Sequence, residues 1–392
     1  MPRGPALLLN LGHALDHLFL LVFATAVNAI AADFGVARWE DLMPYAVGAF
    51  FMFGVGSVPA GRLGDLWGRR KMMLVFFFGI GLASLGVALT QSPMQLALAL
   101  TVLGVFSAIY HPVGIPMLVQ KAARPGVTIG VNGLAGNLGI ALAALSTGFL
   151  VKYFGWRMAF VVPGLVSIAA GLLFALTAPP EEAAPARKKA STVHLPRDLA
   201  LRTFLVMVAS STTGSLLFNI TTNGNPQILS ERLAGIVSDP ASLGLLMALV
   251  YAVASLAQVG VGRLIDRYPL KPLFVGIVST QIVLFALAAQ SEGWVWYAFA
   301  IGYMMSVFGA IPFTDAMVVR YIDDSMRSRV SGVRIAISFG ISSLAVYLLG
   351  PAVKASGFTQ LLLAMAFIAA LSTLIVLWLP GESRMRAAMA PS

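Results

Sequence analysis

The chain has 392 residues, of which 58% are hydrophobic and only 11% charged, with a mean hydropathy of +0.87. That balance excludes an ordinary soluble domain. The net charge of +10 does not require a nucleic-acid partner, because aromatic and basic residues are not interleaved as base stacking demands. The absence of cysteine excludes disulfides, thiolate metal sites and cysteine nucleophiles.

A membrane-spanning helix needs about 20 apolar residues. Twelve such runs are predicted near 6–32, 42–60, 72–90, 94–119, 128–150, 158–178, 203–222, 242–261, 272–290, 294–319, 331–350 and 358–379. They are too long and continuous for barrel strands, so the expected fold is an all-α membrane protein. With the N-terminus inside, the outer segments hold Arg38, Lys152, Arg157, Arg232 and Lys354, and Arg334 falls within a span. Every other Lys and Arg of the 26 lies on the cytoplasmic side. This positive-inside bias predicts both termini in the cytoplasm. The first run is too long for a signal-peptide core and carries His and Asp, so no cleavable signal is expected.

Span 1 reads LGHALDHLF. His13, Asp16 and His17 stand at i, i+3 and i+4 and share one side of the helix. Asp16 is about ten residues into the span, roughly 15 Å of rise, near the bilayer midplane. An ionisable residue there marks a candidate functional site.

Between spans 2 and 3 lies GRLGDLWGRR, Gly61 to Arg70. Its glycines permit a tight reversal and close helix approach. Arg69 and Arg70 anchor it to the cytoplasmic face. The outline returns as GRLIDRYPLK, Gly262 to Lys271, with Gly61, Arg62, Leu63, Asp65 and Arg70 matching Gly262, Arg263, Leu264, Asp266 and Lys271. A repeat offset by about half the chain predicts two similar halves. These are 1–178 and 203–392, joined by a Pro-, Ala- and charge-rich cytoplasmic linker, 179–202, that contains His194.

Span 4 holds AIYHPVGIP, where Pro112 and Pro116 interrupt the hydrogen-bond ladder. His111 is about ten residues from Lys121 and is expected at the depth of Asp16 and His17. Span 5 is rich in small residues suited to close packing and adds Asn132 and Asn137. Span 7 carries Ser211, Ser215, Asn219 and Thr222 as one polar stripe, which lines a cavity or bonds to a neighbouring helix. NPQILSERLAGIVSDP after it is expected to form a short outer helix. Asp315 in span 10 and Arg334 in span 11 lie at similar depths, roughly 7–8 Å inside the cytoplasmic boundary, and are expected to pair. The pair is open to a structural, gating or substrate role.

The pattern G-x-L-x-D-x-x-G-R-R, with its half-preserved second copy, resembles the signature loop of the major facilitator superfamily of transporters. The resemblance covers essentially the whole chain. It implies twelve transmembrane helices in two pseudo-symmetric six-helix halves, with spans 1, 4, 7 and 10 lining a central cavity. It also implies a cytoplasmic latch built from Gly61, Asp65, Gly68, Arg69, Arg70, Gly262 and Asp266. In that latch Asp65 would meet the start of span 11 and Asp266 the start of span 5. GWRMAF, Gly155 to Phe160, resembles an outer-loop feature of the same superfamily. The span 1 histidines and Asp, with the His-Pro of span 4, look similar to fosmidomycin-resistance-type exporters. Drug exporters carry a Gly-Pro signature in span 5, where this chain reads Gly136-Asn137-Leu138-Gly139.

No Walker motif and no nucleophile–base pair is present, so neither an enzyme nor direct ATP drive is expected, and no cofactor is called for. The expected function is secondary transport of a small polar or anionic organic molecule across the inner membrane, as proton-coupled export by a monomer embedded in lipid. Asp16, His17 and His111 are the candidate proton-coupling residues. His13, Ser211, Ser215, Asn219, Asn137, Asp315 and Arg334 are the candidate substrate-binding residues. Two readings use the same parts. One is a proton-coupled metabolite importer. The other is a divalent-metal exporter, because imidazole and carboxylate suit transition metals.

Overall fold

The computed structural model describes residues 3–120, 122, 125–180, 196–322, 324–383 and 385. The linker, with His194, falls largely outside them. Among the described residues the chain is helical, with α1 (Arg3–Asp33), α2 (Val47–Trp67), α3 (Arg69–Ala88) and α4 (Pro93–Ser107) first. α5 (Pro125–Phe154) and α6 (Met158–Thr177) complete the first half. The second half holds α7 (Arg197–Arg232), α8 (Pro240–Arg267), α9 (Leu270–Ala289), α10 (Gly293–Tyr321) and α11 (Asp324–Leu377). Past Ser107, span 4 continues through a π turn at Tyr110–Gly114 and a short helix, Ile115–Val119.

Eleven described helices are long and apolar enough to cross a membrane. The count is one below the twelve predicted runs because the last two are joined in α11. Its apolar part covers 46 residues. At 1.5 Å per residue that is about 69 Å, against a hydrocarbon core of about 30 Å. The backbone leaves helical geometry inside α11 at Gly357 (φ 75°, ψ 174°), between the two runs. Only glycine reaches that conformation without strain. The predicted outer helix after span 7 is not separate. α7 runs on through Pro226 to Arg232, because Pro226 stands where tertiary packing on both sides holds the axis.

The helix ends follow local chemistry. Ser92 caps α4 by accepting from the Gln95 amide at 3.4 Å, with Pro93 at the first helical position. Asp239 caps α8 by accepting from the Ser242 amide at 2.9 Å, ahead of Pro240. Between α2 and α3 the chain reverses at Gly68, whose φ of 96° lies in the region that favours glycine. The matching position of the second repeat is Pro269 at φ −57°. The two copies therefore turn by different backbone routes.

The Arg70 side chain closes the base of the first half. Its Nε donates to Ala178 O at 3.0 Å and an Nη to Ala175 O at 2.6 Å, so it satisfies carbonyls at the end of α6. Arg69 reaches Gln120 at 3.3 Å. In the second half Arg320 donates to Ile265 O at 2.5 Å, and Glu382 accepts from the Leu270 amide at 2.5 Å at the start of α9.

Helix packing is closest where glycine removes the side chain. A Cβ on Gly104 would lie 2.3 Å from Ala49 O, and one on Gly139 would lie 2.1 Å from Ala14 O. These contacts draw α4 onto α2 and α5 onto α1.

The halves meet mainly on the face opposite the arginine-rich turns. A Cβ on Gly148 would sit 2.4 Å from Pro240 O, and one on Gly350 would sit 2.1 Å from Glu40 O. Lys152 pairs with Asp239 at 2.7 Å and Lys354 with Asp41 at 2.5 Å. Asn28 donates to Gln227 at 2.6 Å, whose own amide donates to Ala24 O at 2.8 Å. At the arginine-rich face Gly130, Gly260 and Gly262 have open space around them. Asp65 and Asp266 are exposed there, with no ion pair among the described residues. The start of span 11, where Asp65 was expected to bind, lies at residues whose side chains are outside the described set.

Candidate functional site

The site forms where α1, α4 and α5 cross. Gly12, Gly136 and Gly139 thin the helices there, so that a Cβ on Gly136 would lie 2.7 Å from the His13 ring. His13 enters this space stacked on Tyr110, with ring centroids 4.7 Å apart and planes at 16°. Its Nδ1 is 2.7 Å from Asn132 O. A carbonyl only accepts, so Nδ1 carries the proton and Nε2 of the neutral ring presents its lone pair. Nε2 is buried without a hydrogen-bond partner.

Asp16 is fully buried. Its Oδ1 accepts from the Ser107 hydroxyl on α4, and Oδ2 has no hydrogen-bond partner. His111 Nε2 approaches Oδ2 at 3.6 Å. His17 completes the group, half-buried, 4.9 Å from His13 and 5.6 Å from His111 by ring centroid. The sequence thus placed His13, Asp16, His17 and His111 correctly in one cluster. Ser107, Tyr110 and Asn132 were not singled out as its partners. Tyr110 donates to Leu9 O at 2.7 Å, and the Asn132 amide donates to Tyr110 at 2.8 Å and to Asn10 at 2.9 Å.

The π turn aims His111. Its wider turn falls at Tyr110–Gly114, where Pro112 lacks an amide donor. From His111 the contacts run towards the second half. Phe53 lies edge-on to it at 5.5 Å and meets Phe339 of α11 at 4.9 Å.

Asp315 and Arg334 pair at 2.6 Å, as their depths predicted. Arg334 is buried and also donates to Thr314 at 2.5 Å, while the Asp315 side chain is exposed. The charge pair therefore has an anchored end and an accessible end. Asn137 donates to Gln258 of α8 and joins the halves near mid-height. The span 7 stripe divides. Ser211 accepts from Ser338 of α11 at 3.0 Å. Asn219 donates to Ser215 O at 2.9 Å and Thr222 to Phe218 O at 2.7 Å, both on their own helix. The Ser215 side chain is half-buried.

A bundle of long apolar helices with a buried ionisable cluster is the architecture of a polytopic membrane protein. The Major Facilitator Superfamily model matches residues 9–230, and the chain belongs to that superfamily. It is 31% identical over 186 residues to a protein described as a probable actinorhodin transporter of Streptomyces coelicolor, covering 44% of this chain and 31% of that protein. It is 27% identical over 167 residues to the tetracenomycin C resistance and export protein of Streptomyces glaucescens, covering 41% and 31%. The chain spans about a third of the length of the curated relatives it matches. Among solved structures, a D-xylose-proton symporter superposes with a TM-score of 0.79 at 15% identity, over 96% of this chain and 98% of that one. A bacterial homologue of the human lysosomal transporter Spinster, inward-facing and occupied, superposes with a TM-score of 0.77 at 15% identity, over 99% and 98%.

Proposed function

We propose that the chain is a secondary active transporter that exports a small polar or anionic organic molecule across the inner membrane in exchange for protons. The carrying observation is Asp16. It is a fully buried carboxylate with one oxygen lacking a hydrogen bond, among three histidines on spans 1 and 4. A buried carboxylate of this kind is costly unless it binds something, and a proton is the simplest occupant. The exposed Asp315 carboxylate, held by the buried Arg334, supplies a polar group for the cargo.

Transport then proceeds by rocking of the halves 1–178 and 203–392 about the seam. With the arginine-rich turns and both termini in the cytoplasm, the present arrangement is inward-facing. Asp65 and Asp266 act as latches in the opposite state, where the cytoplasmic ends close. The relatives described as export and resistance proteins support the outward direction. A proton-coupled importer is the second reading, favoured by the likeness to a D-xylose-proton symporter.

The test uses protein in liposomes with an internal pH dye, challenged with pools of organic anions and polar metabolites. Solute-triggered proton flux that is lost in Asp16→Asn is the expected result. Its sign separates exchange from symport. Full proton-coupled flux in Asp16→Asn would remove Asp16 as the carrier.

A further inference from the structure

We propose that His13, His17 and His111, with Asp16 beside them, form a binding site for a divalent transition-metal cation of the zinc and cobalt class. The inference takes the same cluster as the transport reading, but it stands on coordination geometry and needs no gradient.

Three imidazoles sharing one tetrahedral ion at about 2.0–2.1 Å per nitrogen set their ring centroids about 5 Å apart. The observed centroids stand 4.9, 5.0 and 5.6 Å apart. The ring planes cross at 59°, 86° and 63°, so the three imidazoles meet edge to face or tilted rather than stacked. One ligand atom from each ring lies within 4.8 Å of the others. Closing on an ion requires the nitrogens to approach by up to about 1.4 Å, to the roughly 3.4 Å spacing of a tetrahedral site.

The free lone pairs point the same way. His13 Nε2, Asp16 Oδ2 and His111 Nε2 are all buried without a hydrogen-bond partner. Leaving such atoms buried and unpartnered is costly, and a shared cation satisfies the imidazole nitrogens together and offsets the carboxylate charge. The outer ring is also that of a metal centre. Asn132 O holds the His13 Nδ1 proton and so fixes the ligand nitrogen, Ser107 holds Asp16 Oδ1, and Tyr110 packs flat on His13. Three imidazole nitrogens are a donor set for zinc or cobalt rather than magnesium or calcium, and the Asp16 carboxylate 3.6 Å from His111 adds a balancing charge. Binding requires the ligands to be deprotonated, so the metal and protons exclude each other here.

The test titrates purified full-length chain, stripped with a chelator, with Co2+ while the visible spectrum is followed, then displaces it with Zn2+. One cobalt ion per chain in a tetrahedral nitrogen–oxygen environment, displaced by zinc, is expected. His17→Gln and His111→Gln should each weaken binding about 100-fold. His194→Gln should leave it unchanged. No tetrahedral band in monodisperse wild-type protein overturns the proposal, and so does the same titration curve in the His17 and His111 variants. The wild-type titration decides alone if a variant fails to fold. A missing band with proton flux intact removes the metal and leaves the transport reading. A band without flux does the reverse.

Discussion

The two faces of the bundle are held in different ways. On one face, backbone meets backbone across the seam at Gly148 and Gly350, and the ion pairs Lys152–Asp239 and Lys354–Asp41 lie over those contacts. On the other, the repeated loops with Asp65 and Asp266 stand exposed, and Gly260 and Gly262 touch nothing. The charge-bearing repeats lie on the open face, while the closed face is secured by small residues and pairs that no repeat announces. Closure is thus a matter of steric fit first and charge second. The buried glycine contacts exclude water, whereas partly exposed ion pairs contribute little each.

The largest break in this contrast should come from Gly350→Leu. A side chain there collides with Glu40 O and Met43, and overpacking of this kind costs roughly 1–3 kcal/mol. Placed on a two-state seam, that shifts the closed-to-open ratio of this face by about 10–100-fold. The native chain has no cysteine, so labelling of a single cysteine introduced at Asn28 measures the shift directly. Unchanged labelling would mean that the glycines do not hold the face shut.

A smaller effect is expected on the open face. Gly68→Ala forces an L-residue into φ 96° and should lower stability by about 1 kcal/mol. Pro269→Ala, at the same point of the second repeat, has no such conformation to lose, so the two thermal melts should differ.

Smaller still is Lys354→Ala, which removes a half-exposed pair with Asp41. It should change stability by about 0.2–1 kcal/mol, with the loss disappearing in high salt. The least effect belongs to pH at Asp239. Lys152, then the Ser242 hydroxyl and amide, hold its carboxyl below the ordinary range. Its contribution is therefore present above the ordinary carboxylate range and fades as pH falls through the lowered value. A Lys152→Ala variant should flatten that acid limb in a pH series of melting temperatures.

Much of this architecture was legible in the sequence, because a membrane span is written in length and hydropathy. The break at Gly357 falls in the gap between the runs ending at 350 and starting at 358, but which residue turns the backbone was not legible. His13, Asp16 and His17 could be grouped by helical spacing alone, and His111 by depth. Ser107, Tyr110 and Asn132 could not. They belong to helices whose rotation about their axes no spacing rule fixes. The prolines at 112 and 116 signalled the irregular backbone without saying which way it would turn. The Asp315–Arg334 pair followed from depth. The span 7 stripe followed less well, because Asn219 and Thr222 each find a carbonyl one turn back on their own helix.

The π turn at Tyr110–Gly114 holds more residues per turn than the α-helix on either side. Geometrically it takes up one more residue than an α turn inside the span. A relative without that residue would match every apolar position before it, yet offer a different side chain where His111 stands. Beyond it the letters would drift by one place, about 100° around the axis. A gapless match of letters to such a relative would therefore assign the wrong residue to the cluster, where superposed backbones would not.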